Sequence, residues 1–133
     1  MSQANAELVT HGIEAYVARD WERWVAGLDP EIEWIETRGL GPDAAVYRGI
    51  DEVRGAVESW LAMWADYGFE VHDCIEVGDQ VVVLARERGR GRSTGVRVDR
   101  ELGQIHELRH GKLIRTRLYG SWVEALDAAG LSE

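Results

Sequence analysis

The sequence predicts an α+β domain, and three observations carry that reading. Apolar residues recur at helical spacing through the first half of the chain, β-branched alternation takes over from residue 69, and the alternating runs are joined by short turn signals. Helices first and hairpin-linked strands afterwards give an α+β order, not an α/β one. Three N-terminal-half helices laid over the concave face of one curved sheet leave a conical cavity, and such mouths receive small ligands. At 133 residues, with 45% apolar residues and six Trp, the chain has the size and composition of a single domain, 1–133, around one core.

Residues 4–19 form the first expected helix, with Leu8, Val9, Ile13, Tyr16 and Val17 at helical spacing, and "DWERWVAGL" the second, capped by Asp20. "DPEIEWIE" reads as a turn running into a strand, and "TRGLGPDAAVYRG" as a loop. In "IDEVRGAVESWLAMWADY" the residues Ile50, Val53, Val57, Trp60, Leu61 and Trp64 fall at steps of three and four, which predicts a long amphipathic helix capped by Asp51. Four strands in a meander follow: "FEVHDCIEVG", "QVVVLARERG", "GVRVDRELGQIHELRH" and "KLIRTRLYG". "SWVEALDAAGL" holds a capping box, Ser121 with Glu124, and Gly130 as a stop, so a short helix closes the chain.

Composition narrows the function. With 24 acidic against 15 basic residues the net charge is -9, which argues against nonspecific binding to nucleic acid or an anionic membrane. No run approaches the roughly 20 apolar residues of a membrane span. No basic segment followed by an apolar run is visible at the N-terminus, and the single Cys74 excludes an internal disulfide, so a cytoplasmic protein is expected. Arg86, Arg88, Arg90, Arg92 and Arg97 cluster around three glycines; a phosphate site is one reading and a solvated hairpin connection the other, and we take the hairpin. The four histidines show no metal-ligand spacing and no Gly-rich strand-to-helix loop is present, so neither metal nor nucleotide cofactor is expected.

Strand parity picks out candidate residues. In "EIEWIE", Glu31 and Glu33 share a face with Ile35, while Glu36 falls on the apolar side with Ile32 and Trp34. On the long strand the even positions Val96, Val98, Arg100, Leu102, Gln104, His106 and Leu108 form the buried stripe. Arg100, Gln104 and His106 are polar residues in that stripe, where each needs a partner or costs roughly 1 to 3 kcal/mol. They read as pocket lining, or as structurally satisfied groups with Arg100 paired to a buried acid such as Glu36. On the last strand Ile114, Thr116 and Leu118 are the inward set, and Leu113, Arg115, Arg117 and Tyr119 an outer face suited to a partner subunit, so a homodimer through that face is expected. Tyr16 is a core tyrosine or a donor aimed into the cavity, and Trp34, Trp60 and Trp64 form the apolar wall.

The segments "EAYVARDWERWVAGLDPEIEWIE", "YRGIDEVRGAVESW", "GDQVVVLARERGRG" and "LRHGKLIRTRLYGSWVEALDAAGL", in this order, resemble a SnoaL-like protein of the nuclear transport factor 2-like superfamily, over nearly the whole chain. The resemblance implies a cone-shaped α+β barrel. The superfamily spans ketosteroid isomerases, polyketide cyclases, epoxide hydrolases, dehydratases and noncatalytic binders, so fold leaves activity open. Tyr16 is similar in position to the oxyanion-binding tyrosine of ketosteroid isomerases and Glu36 to their general base, while Gln104 stands where they keep a protonated acid. "QIH" supplies the Gln-x-His pair of polyketide cyclases as Gln104 and His106, but Gly120 falls where their acid/base aspartate would be.

These observations give two expectations. One is an isomerase- or cyclase-type enzyme moving a proton on an apolar, carbonyl-bearing ligand, with Glu36 as base and Tyr16, Gln104 and His106 stabilising the enolate oxygen. Trp34, Arg100, Trp60, Trp64, Thr116 and Leu118 would then contact the ligand. The other is a noncatalytic ligand-binding or dimeric scaffold protein with the same pocket.

Overall fold

The computed structural model describes residues 2–37 and 45–131, with side chains from residue 4 onward. Helices α1 (Ser2–Ala18) and α2 (Trp21–Ala26) come first, then β1 (Leu28–Glu36), β2 (Ala45–Arg48) and α3 (Ile50–Ala62). Strands β3 (Trp64–Val77), β4 (Gln80–Gly91), β5 (Arg97–Arg109) and β6 (Lys112–Tyr119) follow, and α4 (Trp122–Ala128) ends the set. The six strands form one curved, unclosed sheet in the order β2-β1-β6-β5-β4-β3, antiparallel throughout except where β1 runs parallel to β6. The α+β architecture is the expected one.

Both faces of the sheet centre are covered, which explains why β4 carries an unbroken apolar run and not an alternation. Val81, Val83 and Ala85 pack beneath α1–α3 together with Val9, Trp24, Ile32, Val53, Val57 and Leu61. Val82 and Leu84 point the other way, into a second cluster with Ile105 and Ala125 under α4. The long strand is therefore buried on both sides at its centre, not only along its even stripe: Leu102 through His106 are all buried. Gly103 makes the α4 contact possible, because a Cβ there would stand 2.5 Å from the Ala125 Cβ and 3.0 Å from the Ser121 carbonyl oxygen.

Several boundaries differ from expectation. On α1, Val9 and Ala15 are buried and Ile13 and Tyr16 pack half-buried against them, while Leu8 and Val17 are exposed. Asp20 does cap α2, accepting from the Arg23 N–H, and Ser121 caps α4, accepting from the Glu124 N–H at 3.1 Å. Asp51 does not cap α3. The N-cap is Gly49, whose positive φ of 86° suits glycine and whose N–H bonds the Ile32 carbonyl at 2.8 Å, tying the helix start to β1. Helix α3 stops at Ala62, so Trp64 opens β3 instead of closing the helix. The expected loop hides a strand: Ala45–Arg48 pairs with β1, Tyr47 opposite Trp34. The remainder of that loop, 38–44, lies outside the described residues.

The charged outer surfaces are occupied within the chain. Arg86 pairs with Asp99 at 2.9 Å, Arg88 with Asp99 and Glu70, and Arg90 with Asp66, while Arg92 donates to the Trp64 carbonyl oxygen. Hydrogen bonding from Arg86 holds the Asp99 carboxyl below its usual range. This is a paired hairpin and not an open phosphate cradle. On β6, Arg115 bonds Glu33 and Glu107, Arg117 pairs with Glu107, and Tyr119 packs with the α4 cluster. Leu113 turns inward and Ile114 does not, because the β5–β6 register shifts between Glu107 and Leu108 and leaves one extra residue on β6. Among the described residues no helix is long and apolar enough to cross a membrane.

Candidate functional site

The space between the sheet's concave face and helices α1–α3 encloses a cavity of about 150 Å³. Its wall is aromatic and aliphatic, with Trp24, Trp34, Tyr47, Trp60 and Phe69 among the lining side chains. Four polar groups with charge or amide chemistry border it: Glu36, Glu87, Gln104 and His106.

Register places three lining residues in one row. Glu36 on β1 is opposite Leu118 on β6, which is opposite Gln104 on β5, so a carboxylate and an amide flank one leucine, their backbones about 10 Å apart across two strand spacings. The next row on the same face is Trp34, Thr116 and His106. Alternation along β1 thus sends Glu36 to the cavity, and sends Glu33 to the outer surface, where Arg115 holds its carboxyl below the usual range.

Two hydrogen-bond chains end at this cavity. In the first, Thr116, fully buried, is 2.8 Å from His106 Nδ1, and His106 Nε2 is 2.9 Å from Gln104 Oε1. Burial pushes the His106 imidazole down to about 4, so the ring is neutral at pH 7 and carries one proton. The Gln104 carbonyl oxygen can only accept, so that proton sits on Nε2, and Nδ1 accepts from the Thr116 hydroxyl. The chain runs Thr116 to His106 to Gln104 and leaves the Gln104 amide nitrogen as a donor at the cavity wall.

The second chain has the opposite sense. Tyr67 donates to Glu87 Oε2 at 2.5 Å, and burial raises the Tyr67 hydroxyl far above the usual tyrosine range, so it keeps its proton. Tyr16 and Tyr67 hydroxyls are 2.9 Å apart; the one proton of Tyr67 is on Glu87, so Tyr16 donates to Tyr67. Trp60 Nε1 also donates to Glu87 Oε2, at 3.3 Å. Here the donated protons converge on Glu87, which is 4% exposed and borders the cavity as an acceptor.

The sequence-derived candidates separate accordingly. Glu36, Tyr16, Gln104, His106, Trp34, Trp60 and Leu118 all line the cavity. Arg100 does not: it approaches Glu87 Oε1 at 3.6 Å and lies over the Trp60 ring, and it is not the partner of Glu36. Trp64 sits outside the wall, stacked edge-on behind Trp60 at 5.4 Å. Thr116 stands behind His106 and orients it, without reaching the ligand space. Glu87 and Tyr67 were missed. Parity along β4, Val81, Val83, Ala85, Glu87, would have put Glu87 on the inner face. Among the described residues no group of three His, Cys, Asp or Glu side chains is arranged to hold a metal ion.

The SnoaL-like domain family matches residues 9–116. No curated protein matches the chain in sequence. Among solved structures, a nuclear transport factor 2-like protein of unknown function from Burkholderia pseudomallei is 22% identical with a TM-score of 0.80, over 96% of this chain and 97% of that one. A similar protein from Burkholderia thailandensis is 25% identical with a TM-score of 0.78, over 97% of each chain. Bal32a, from a soil-derived mobile gene cassette, is 19% identical with a TM-score of 0.82, over 96% of each chain. With its curved sheet, helical cover and matched span of residues 9–116, the chain belongs to the SnoaL-like family of the nuclear transport factor 2-like superfamily.

Proposed function

We propose that this protein is an isomerase- or cyclase-type enzyme that moves a proton on an apolar ligand bearing a carbonyl group. The observation that carries the reading is the single row of Glu36, Leu118 and Gln104 on the cavity wall. Glu36 takes a proton from the carbon next to the carbonyl while the Gln104 amide, polarised by His106 and Thr116, donates to the oxygen as it becomes an enolate. His106 and Tyr16 act one bond further back, since their protons go to Gln104 and Tyr67. Aromatic walls keep water from the reacting atoms, which strengthens both interactions. The family resemblance supports the same class of chemistry through Glu36 and the "QIH" pair.

That the protons of Tyr16 and His106 face protein partners favours a second reading, a ligand-binding protein without catalysis. One assay separates the two. Deuterium exchange at the α-carbon of an aryl ketone in D2O is expected with the wild-type protein and is expected to fall about 10²- to 10⁴-fold in Glu36→Gln. Exchange that is unchanged in the variant removes Glu36 as the base.

A further inference from the structure

The neutral His106 ring joins two fixed neighbours through one proton, and the heavy-atom positions admit two orders of hydrogen bonds. In the first, the Thr116 hydroxyl donates to Nδ1, Nε2–H donates to the Gln104 carbonyl oxygen, and the Gln104 N–H groups face the cavity. In the second, every step is reversed: Nδ1–H donates to the Thr116 oxygen, the Gln104 amide turns over to donate to Nε2, and its carbonyl oxygen faces the cavity. The two ends of an amide are nearly equal in size, so packing alone does not choose between them. The polarity of the wall does depend on the choice, because the first order receives an acceptor such as a carbonyl oxygen and the second receives a donor. Thr116 makes the choice. It is fully buried, and among the described residues its hydroxyl has no hydrogen bond other than the one to His106. In the second order the Thr116 hydrogen is therefore left without an acceptor, and a buried O–H without a partner is costly enough to be rare in folded proteins. In the first order the Thr116 hydroxyl, both ring nitrogens and the Gln104 carbonyl oxygen are all paired.

We propose that Thr116 is the specificity-setting positioning residue of this cavity: acting through His106, its hydroxyl hydrogen holds the Gln104 N–H groups toward the ligand and so selects carbonyl compounds over isosteres that lack an acceptor. The role rests on the proposed function for the carbonyl ligand, while the order of protons is a property of the ligand-free protein. An isostere without the oxygen would enter the same space and leave the Gln104 N–H groups desolvated and unpaired, which is how a polar site rejects the wrong ligand. Thr116 is held for this task by the ladder on both sides, opposite Trp34 on β1 and His106 on β5.

Nitrogen magnetic resonance spectra of histidine-labelled protein read the tautomer directly. In the ligand-free wild type the proton is expected on Nε2 of His106, and a proton on Nδ1 overturns the role. Acetophenone is expected to bind about tenfold more tightly than isopropenylbenzene, which has the same shape with a methylene group in place of the oxygen. Thr116→Val, close in size but without the hydroxyl, is expected to populate both tautomers and to lower that preference about threefold, while Thr116→Ser restores both wild-type readings. An unchanged tautomer or an unchanged preference in Thr116→Val overturns the role, as does a Thr116→Ser variant that behaves like the valine one. If Thr116→Val does not fold, the wild-type spectrum still decides, since only the Nε2 tautomer leaves Gln104 as a donor. Absence of deuterium exchange with tautomer and ketone preference intact sinks only the catalytic reading. Glu36-dependent exchange with Nδ1 protonated sinks only the role of Thr116.

Discussion

Strand β5 presents two different environments on alternate residues. Gly103 and Ile105 face α4 across a contact so close that a methyl group on Gly103 would collide with Ala125, while Leu102, Gln104 and His106 face a cavity. The α4 side is closely packed, and among the described residues none of the buried polar side chains, Glu87, Gln104, His106 and Thr116, belongs to it. The α1–α3 side is left partly unfilled, and the buried polar residues Glu87, Gln104 and His106 border the space. Nothing in the fold's stability requires that asymmetry, since apolar residues at the same positions would bury with less cost. Polar groups gathered around a void, and absent from a filled interior on the same strand, support the proposal that ligand chemistry belongs to the cavity side.

The contrast can be broken by mutation. Ile105→Ala on the filled side is expected to cost about 4 kcal/mol, whereas Leu102→Ala on the cavity side costs about 2, because there the missing atoms enlarge a space that already exists. Chemical denaturation of both variants measures the difference, and equal losses would mean that the cavity is closed in solution. The next effect is in pH. His106 has a folded-state value of about 4 against 6.5 unfolded, so the unfolded chain binds the extra proton between these values. Its contribution is fully present above pH 6.5 and is lost as pH falls toward 4, by about 3 kcal/mol. His106→Gln should flatten that part of the stability profile, and an unaltered slope would mean the ring is not buried as described. Smallest is Gly103→Ala, expected to cost about 2 kcal/mol by pushing α4 off the sheet, with a matching loss of α4 amide protection in hydrogen exchange.

Much of this was legible in the sequence, and the failures have identifiable causes. The parity of "EIEWIE" and of the long strand placed Glu36, Gln104 and His106 correctly, because those strands are regular and flank an apolar face. Leu113 was misplaced by a single extra residue on β6, which no alternation pattern reveals. Trp64 followed Trp60 at helical spacing, yet the chain leaves α3 without a glycine or proline to announce it. Glu87 lay in a segment dominated by Arg and Gly, whose turn chemistry drew attention from the fact that β4 continues through it to Gly91. Arg100 was inward by parity and is partly exposed, because that end of the sheet extends past the cavity to where Arg100 meets Glu87. The direction of each hydrogen-bond chain was beyond sequence altogether, since it depends on which of Tyr67's neighbours takes its one proton.

The central claim is that the Glu36–Leu118–Gln104 row faces a cavity that takes a ligand at the Gln104 end. The most direct measurement is a titration of isotope-labelled protein with an aryl ketone, followed through the Gln104 side-chain amide and the His106 ring N–H in nuclear magnetic resonance spectra. Saturable shifts of both signals, with the Gly103 and Ala125 backbone amides unmoved, are the predicted result. Shifts confined to the α4 side, or a Gln104 amide indifferent to saturating ketone, would contradict it.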